Sequence, residues 1–384
     1  MKALRFERKV VRYAAAAVAG RVLPGRGAAV GPLSLRDVDE PIPPAPGWVR
    51  VRPRLSGICG SDLATIDGHS SRYFEPIVSF PFTPGHEVVG DLDDGSRAVL
   101  VPILTCEVRG IDPMCDWCRT GQPNRCERLA FGHLEPGLQT GFCESTGGGW
   151  SIAFVAHPSQ LVVVPGDLTD EDAVMIEPAA CAVHAARAIE PGGTVAVVGA
   201  GTIGLLVIAA LAHLARAREI VVSARYPHQQ RLARELGATR VVAGATLERV
   251  VRSTTGSMLA GDQLTGGVDT VVDCVGSDAS LTQALRVVAP GGTVLLVGMP
   301  GPSTGADLTG LWHRETAIRG CYAYTRDDFQ AAVDLARAAR LGRLVTATYP
   351  LARYRDAIEH AANAGTRGAV KIAFDLRNER ERNR

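Results

Sequence analysis

Four cysteines crowd one stretch of the chain: Cys106, Cys115, Cys118 and Cys126. Two residues separate Cys115 from Cys118, and seven separate Cys118 from Cys126. A thiolate pair at that spacing wraps one metal ion while a third closes over it, and tetrahedral structural zinc asks for a fourth ligand. Cys106, nine residues before Cys115, is one candidate; Asp112, three residues before Cys115, makes a tighter loop but is a poorer ligand among thiolates. The competing reading is a group of reduced, buried cysteines with no metal.

A second set of metal-type residues is scattered. Cys59 lies in a glycine-flanked turn, "GICGSDL", with Ser61 and Asp62 following at once. His86 and Glu87 stand side by side in "TPGHEVVG", between a Pro-Gly turn and an apolar Val-Val pair, where uncompensated charge is costly. Catalytic zinc keeps three protein ligands and an open position. Cys59, His86 and Glu87 can supply three, and Glu177 in "IEPAAC" offers a further oxygen.

A third pattern suits a phosphate. Gly199, Gly201 and Gly204 form G-x-G-x-x-G with Thr202 and Ile203, after the apolar strand "TVAVVG" and at the head of a helix. Those glycines permit the tight turn and the close backbone approach that a dinucleotide pyrophosphate needs at a helix N-terminus. About 20 residues on, where an acid would bind the ribose of NAD, the chain reads Ser223-Ala224-Arg225. With no carboxylate to repel a 2′-phosphate and an arginine to hold one, NADP is favoured over NAD.

The elements that must position these groups fall into two kinds. Short strands separated by Pro and Gly dominate up to residue 165 and predict a mostly β domain. From Thr169 one helix is expected to run to Ile189. Strands at 194–199, 219–224, 268–276 and 293–301 then alternate with helices, including one at 202–217, and predict a doubly wound parallel α/β domain. Beyond residue 320 the chain reads as helical until the strand-like "AVKIAF".

Length and composition agree. The 384 residues suffice for two domains, and 46% hydrophobic content supports a sizeable core. A formal charge of +1, with arginines interleaved among acids, gives no basis for a nucleic-acid or anionic-membrane partner. Nine cysteines cannot all pair, and their clustering favours metal and a reducing, cytoplasmic compartment. The apolar stretch at 13–20 is too short and too closely bracketed by arginine for a signal core, and the uncharged run at 194–215 reads as a buried βα unit rather than a membrane span.

With "GICGSD", "GHE", the cysteine lobe, "EP" and "VGAGTIG" in this order, the chain resembles the zinc-dependent medium-chain dehydrogenases, and within them the polyol, sugar and threonine dehydrogenase branch. The resemblance covers nearly the whole chain apart from 12–32 and the last several residues. It implies a GroES-like, mostly β catalytic domain at 1–184 and 320–384, and a Rossmann cofactor domain at 185–319. It implies catalytic zinc on Cys59, His86 and Glu87, and it matches Glu177 to the "EP" glutamate of the polyol branch, leaving open whether that oxygen binds directly. Asp62 matches an acid that orients the histidine ligand, and Ser61 the hydroxyl that takes the substrate proton. Lys371 matches a basic residue near the cofactor phosphates.

Two positions depart from the pattern. Ala64 stands where many members have a relay histidine, and Asp112 stands where the first ligand of the cysteine lobe falls. The implied activity is hydride transfer between NAD(P) and a secondary alcohol, ketone or polyol at zinc. The alternatives are an NADP-linked aldose dehydrogenase and a non-catalytic zinc-binding interaction protein on the same fold. Tyr73, Phe74, Phe80 and Phe82 are candidates to line an apolar substrate cleft, with Trp312 and His313 able to reach it. Relatives of this kind are commonly homodimers or homotetramers.

Overall fold

The computed structural model describes residues 1–261, 263–301 and 307–379. Its contacts divide into two units: Met1–Glu177 with Thr325–Phe329 and Arg340–Arg384, and Pro178–Tyr324 with Gln330–Ala339.

The first unit begins with β1 (Lys2–Phe6) and β2 (Leu33–Asp37), paired antiparallel with Phe6 opposite Leu33. Between them sits a helical insert, α1 (Val10–Val22) and α2 (Gly27–Val30). Small residues let α1 lie close to the body: Ala16 and Gly20 are buried, and a Cβ on Gly20 would meet the Asp67 side chain at 2.6 Å. Asp67 holds the insert in turn, accepting the backbone N–H of Gly25 at 2.7 Å and of Gly27 at 2.9 Å.

β3 (Val49–Gly57) leads into α3 (Gly60–Ile66), and β4 (Val88–Leu92), β5 (Arg97–Leu100), the single turn α4 (Asp116–Arg119), β6 (Phe154–Ala156) and β7 (Leu161–Val163) follow. The helix expected from Thr169 to Ile189 is broken at Met175 into α5 (Asp170–Val174) and α6 (Ile176–Arg187). Pro178 explains the break. A proline has no N–H to donate and is tolerated in a helix's first turn, so a new helix must start just before it.

The second unit carries a parallel six-stranded sheet. Its strands are β8 (Gly193–Val198), β9 (Ala217–Ser223) and β10 (Arg240–Val242), then, after a small hairpin of β11 (Leu259–Ala260) and β12 (Gln263–Leu264), β13 (Val268–Asp273), β14 (Val288–Leu296) and β15 (Ala317–Gly320). The order β10-β9-β8-β13-β14-β15 is that of a dinucleotide-binding sheet, with its reversal between β8 and β13. The buried stretches of the inner strands, 195–198, 220–222, 271–272 and 294–295, are nearly all valine, isoleucine and leucine, as two covered faces require. Between β8 and β9, α7 (Thr202–His213) ends four residues earlier than expected, because Ala215 takes a left-handed backbone (φ 49°) and Ala217 already opens β9. Among the described residues no helix is long and apolar enough to cross a membrane.

The chain returns to the first unit with β16 (Val345–Tyr349), which the sequence reading passed over as helical, and β17 (Lys371–Asp375). They complete a sheet in the order β16-β17-β3-β4-β5-β7, with β6 also on β3. Register is what matters for chemistry here. In the antiparallel pairs, Ser56 of β3 faces Val88 of β4, and Gly57 faces Ala373 of β17. The next residues outward are therefore Cys59, His86–Glu87 and Lys371, all at one end of three adjacent strands. Beneath them packs a core of Leu4, Phe6, Phe82, Phe142, Trp150 and Phe374.

Candidate functional site

The sheet end gathers the scattered donors. Ligand atoms of Cys59, His86 and Glu87 all lie within 4.8 Å of one another. Cys59 caps α3, and Asp62 turns back to accept its backbone N–H through Oδ2 at 3.0 Å. The other oxygen of Asp62, Oδ1, points at His86 Nδ1 from 3.6 Å, and neither atom has a hydrogen-bond partner although both are buried. Phe142 supports the imidazole from the core, with ring centroids 6.0 Å apart.

Charge explains why such a cluster is affordable. Asp62, His86, Glu87 and Lys371 are all buried, and the Lys371 ammonium pairs with Glu87 Oε2. Burial lowers the His86 pKa, but Asp62 outweighs it with help from Cys59 and Glu177, and the imidazole is raised to about 10. Burial likewise raises Asp62 and works against Lys371, whose pKa is nonetheless raised by Glu87, Cys59 and Glu177. Acidic groups around His86 thus outnumber the one buried lysine, an environment suited to a further positive charge. A thiolate, a neutral imidazole nitrogen and a carboxylate make a donor set that fits a borderline divalent cation such as zinc. Asp62 faces Nδ1 of the ring, as a group that orients a histidine ligand binding through Nε2 would.

Other expected residues fall around this cluster. Glu177, the second residue of α6, is 7% exposed and lies outside the group within 4.8 Å, but its charge reaches His86 and Lys371. Ser61 is half-buried in the first turn of α3, two residues past Cys59. Lys371, expected at the cofactor phosphates, instead spends its ammonium on Glu87, because a buried cation requires a carboxylate.

The aromatic expectations divide. Phe82 is 1% exposed and stacks on Phe6 at 5.1 Å, and Phe80 leans on both; they fill the core rather than line a cleft. Tyr73 is 78% exposed and meets Phe74 edge-on. Trp312 and His313 are exposed in the second unit.

The four cysteines also converge. Sulfurs of Cys106, Cys115, Cys118 and Cys126 lie within 4.8 Å of one another, with Cys106 and Cys126 at 3.7 Å. Cys115 caps α4, so one helical turn puts Cys118 on the same side. Backbone N–H groups of Cys115 and Arg128 donate to the sulfurs of Cys106 and Cys126 at 3.4 and 3.5 Å, a pattern suited to thiolates. Asp112, the alternative fourth ligand, is exposed and outside the cluster, because the backbone turns at Ile111, whose N–H returns to Cys106 O at 2.9 Å. Burial opposes ionisation at Cys115, yet backbone N–H groups prevail and hold it down at about 7. Burial and the neighbouring sulfurs push Cys126 up to about 11 and Cys118 higher still. The Cys115 thiolate forms readily while Cys118 and Cys126 resist, which a cation would relieve.

In the second unit the glycine turn has the expected steric logic. Gly199 has φ +92°, and a Cβ on Gly204 would sit 2.0 Å from Gly199 O. Gly201 faces open space, leaving the backbone approachable at the head of α7, where Thr202 and Ile203 are half-buried. Ser223 closes β9, and its carbonyl accepts the N–H of Gly199 at 3.1 Å. Arg225 is exposed, with its guanidinium 5.6 Å over the Tyr226 ring.

Sequence reasoning missed one charged group and the partner of another. The partnership of Lys371 with Glu87 follows from strand register, which no motif reports. Arg109 is buried beside the cysteine cluster; its position three residues after Cys106 was the available signal.

Residues 45–166 match the family of alcohol dehydrogenase GroES-like domains, and residues 202–338 match the zinc-binding dehydrogenase family. The chain is 29% identical over 349 residues to L-idonate 5-dehydrogenase of Vitis vinifera, covering 85% of this chain and 88% of that one. It is 28% identical over 349 residues to sorbitol dehydrogenase of Arabidopsis thaliana, covering 86% and 89%. Among solved structures it superposes, with a TM-score of 0.74 and 27% identity, on a protein of Sinorhizobium meliloti described as a zinc-binding dehydrogenase and bound to NADP, covering 97% and 98% of the two chains. With both domain matches in order on a fold that carries both donor clusters and the dinucleotide turn, this chain belongs to the zinc-dependent medium-chain dehydrogenases of the alcohol dehydrogenase superfamily.

Proposed function

We propose that Cys59, His86 and Glu87 hold a catalytic zinc, with Glu177 as a nearby oxygen, and that the enzyme oxidises a secondary alcohol or polyol, or reduces the matching ketone. The carrying observation is the buried donor set of Cys59, His86 and Glu87 within 4.8 Å, with Asp62 Oδ1 facing His86 Nδ1 from 3.6 Å. Zinc there would supply a Lewis acid that makes a substrate hydroxyl easier to deprotonate. Ser61 receives that proton through Oγ. Ala64 gives the hydroxyl no imidazole to pass it to, so proton exit bypasses histidine at that position. Asp62 fixes the His86 ring, and Lys371 holds Glu87 in place while offsetting its charge. A polyol is favoured because the relatives named for sugar acids and sugar alcohols match over most of their length.

The cysteine lobe is read as a closed structural zinc site of Cys106, Cys115, Cys118 and Cys126. Gly199, Gly201, Thr202, Ile203 and Gly204 cradle the cofactor pyrophosphate, and Ser223 with Arg225 favours NADP over NAD. Arg225→Ala is expected to raise KM for NADP by about 10- to 100-fold, the worth of a charge-assisted hydrogen bond, while leaving KM for NAD nearly unchanged. Equal losses with both cofactors would remove Arg225 from discrimination. Nine cysteines, four of them gathered as metal donors, support a reducing compartment such as the cytoplasm. The solvent-exposed edge strand β15 suits pairing with a second copy, as a homodimer or within a homotetramer.

The deciding experiment is NADP- and NAD-linked turnover across a panel of secondary alcohols, polyols and aldoses, with metal analysis. Two zinc per chain and turnover on secondary alcohols or polyols are expected. A fully zinc-loaded protein that transfers hydride with no substrate would support the non-catalytic alternative.

A further inference from the structure

Arg109 is a charge without an evident partner. Its side chain is 0% exposed, and a guanidinium stays protonated in any protein environment. Nε donates to Leu104 O at 3.2 Å. Nη1 donates to the carbonyls of Phe131, Leu134 and Glu135 at 3.0, 3.2 and 3.3 Å. Nη2 donates to those of Glu135 and Gly137 at 3.3 and 2.7 Å. Every acceptor is a neutral backbone carbonyl. They satisfy the N–H groups and leave the net charge uncompensated, which is expensive in a protein interior.

The ionisable groups whose charge would reach Arg109 are cysteines. Burial pulls its pKa down, and Cys143, Cys126 and Cys106 act in the opposite direction. Cys143 is engaged as a thiol, with Sγ donating to Glu135 O at 3.4 Å. That leaves the four-cysteine cluster. Four thiols carry no charge, whereas four thiolates around one divalent cation sum to a double negative charge.

Resting on the reading of this lobe as a metal centre, we propose that Arg109 is the fixed counter-charge of a dianionic metal tetrathiolate formed by Cys106, Cys115, Cys118 and Cys126. The same side chain clamps the two arms of the lobe. Arg109 lies three residues past Cys106, with its N–H on Thr105 O at 3.0 Å, while its acceptors at 131–137 follow Cys126. The arms are packed closely: His133 N donates to Arg109 O at 3.2 Å, and Gly132 (φ +87°) has no room for a Cβ, which would fall 2.4 Å from that oxygen. Removing the guanidinium would leave the dianion in the interior, and removing the metal would leave the guanidinium facing neutral thiols.

The test uses the full chain loaded with cobalt(II) or zinc. Sulfur-to-cobalt charge-transfer absorption counts thiolate ligands, and a chromophoric chelator times zinc release. Wild type and Arg109→Lys should show the four-thiolate band, and Arg109→Gln should show a weaker band with zinc release from this site at least about tenfold faster. Catalytic-site metal should be released at the same rate in all three. An Arg109→Gln protein with wild-type band and release rate overturns the counter-charge role. If that variant does not fold, hydrogen exchange on wild type decides instead. Amides of 131–137 should lose protection when the lobe metal is chelated, and unchanged protection overturns the proposal. A wild type with no thiolate band at all would sink the metal reading of the lobe itself, a distinguishable failure.

Discussion

Cys59, His86 and Glu87 meet because three strands end together, whereas the four cysteines meet inside a single loop of 21 residues, 106–126. The mixed centre is assembled from distant parts of the chain and stabilised by a charged surround of Asp62, Lys371 and Glu177. The sulfur lobe is local and stabilised by backbone N–H groups and one buried arginine. The first arrangement leaves room for an open coordination position with tuned acidity. The second would use all its donors on one ion and have none left for a substrate. Chemistry belongs where the donors are mixed and their charge is not self-balanced.

The largest expected effects separate the two centres. Cys59→Ser should remove one zinc per chain and lower turnover by about a thousandfold or more, since the Lewis acid supplies several kcal/mol of transition-state stabilisation. Cys115→Ser should remove the other zinc, lower thermal stability and leave residual turnover. Metal content beside turnover and a melting curve checks both. If Cys115→Ser abolishes turnover while its catalytic zinc stays bound, the division of labour between the centres is wrong.

Asp62→Asn sharpens the same contrast at a smaller magnitude. The amide keeps the shape but loses the negative charge facing His86 Nδ1, so metal affinity of the mixed centre should fall about 10- to 100-fold. The sulfur lobe should hold its ion unchanged. Chelator competition on the two-metal protein reads both in one titration.

How much of this the sequence reveals follows from the same contrast. Cys115 and Cys118 are legible from spacing, because one helical turn sets their geometry without help from the rest of the chain. The glycine turn is legible for a similar reason: Gly204 packs against Gly199 within a few residues. His86 and Glu87 alone were ambiguous, and only the order of distant motifs resolved them. Cys106 against Asp112 stayed open because both lie within reach along the chain, and the return of Ile111 N–H to Cys106 O decides it. Lys371 was assigned to phosphate because its partner is set by β3–β17 register. Phe80 and Phe82 looked like cleft residues, but β1 supplies Phe6 to stack on them. The break at Met175 was readable from Pro178 and was overlooked.

The smallest predicted effect tests whether the mixed centre depends on its sheet. Asp170 is 5% exposed and binds Arg54 of β3 at 2.8 Å, Arg97 of β5 at 2.8 Å and Arg377, just past β17, at 3.3 Å. These ties fasten the strands that deliver Cys59 and Lys371. Burial pushes the Asp170 carboxyl up, but Arg54 and Arg97 outweigh it and hold the pKa below the usual carboxylate range. A depressed carboxylate contributes stability that is fully present above its unfolded value of ~3.9 and is lost as pH falls through the lower folded value. Asp170→Asn should therefore cost about 1–3 kcal/mol in urea unfolding at pH 7, less than a fully buried pair because the arginines keep contact with water. The gap between variant and wild type should close as pH drops below about 3.9. At pH 7, zinc release from the mixed centre should quicken several-fold in the variant while the sulfur lobe keeps its rate. Equal acceleration at both centres would mean that the lobe leans on the sheet as much as the strand ends do.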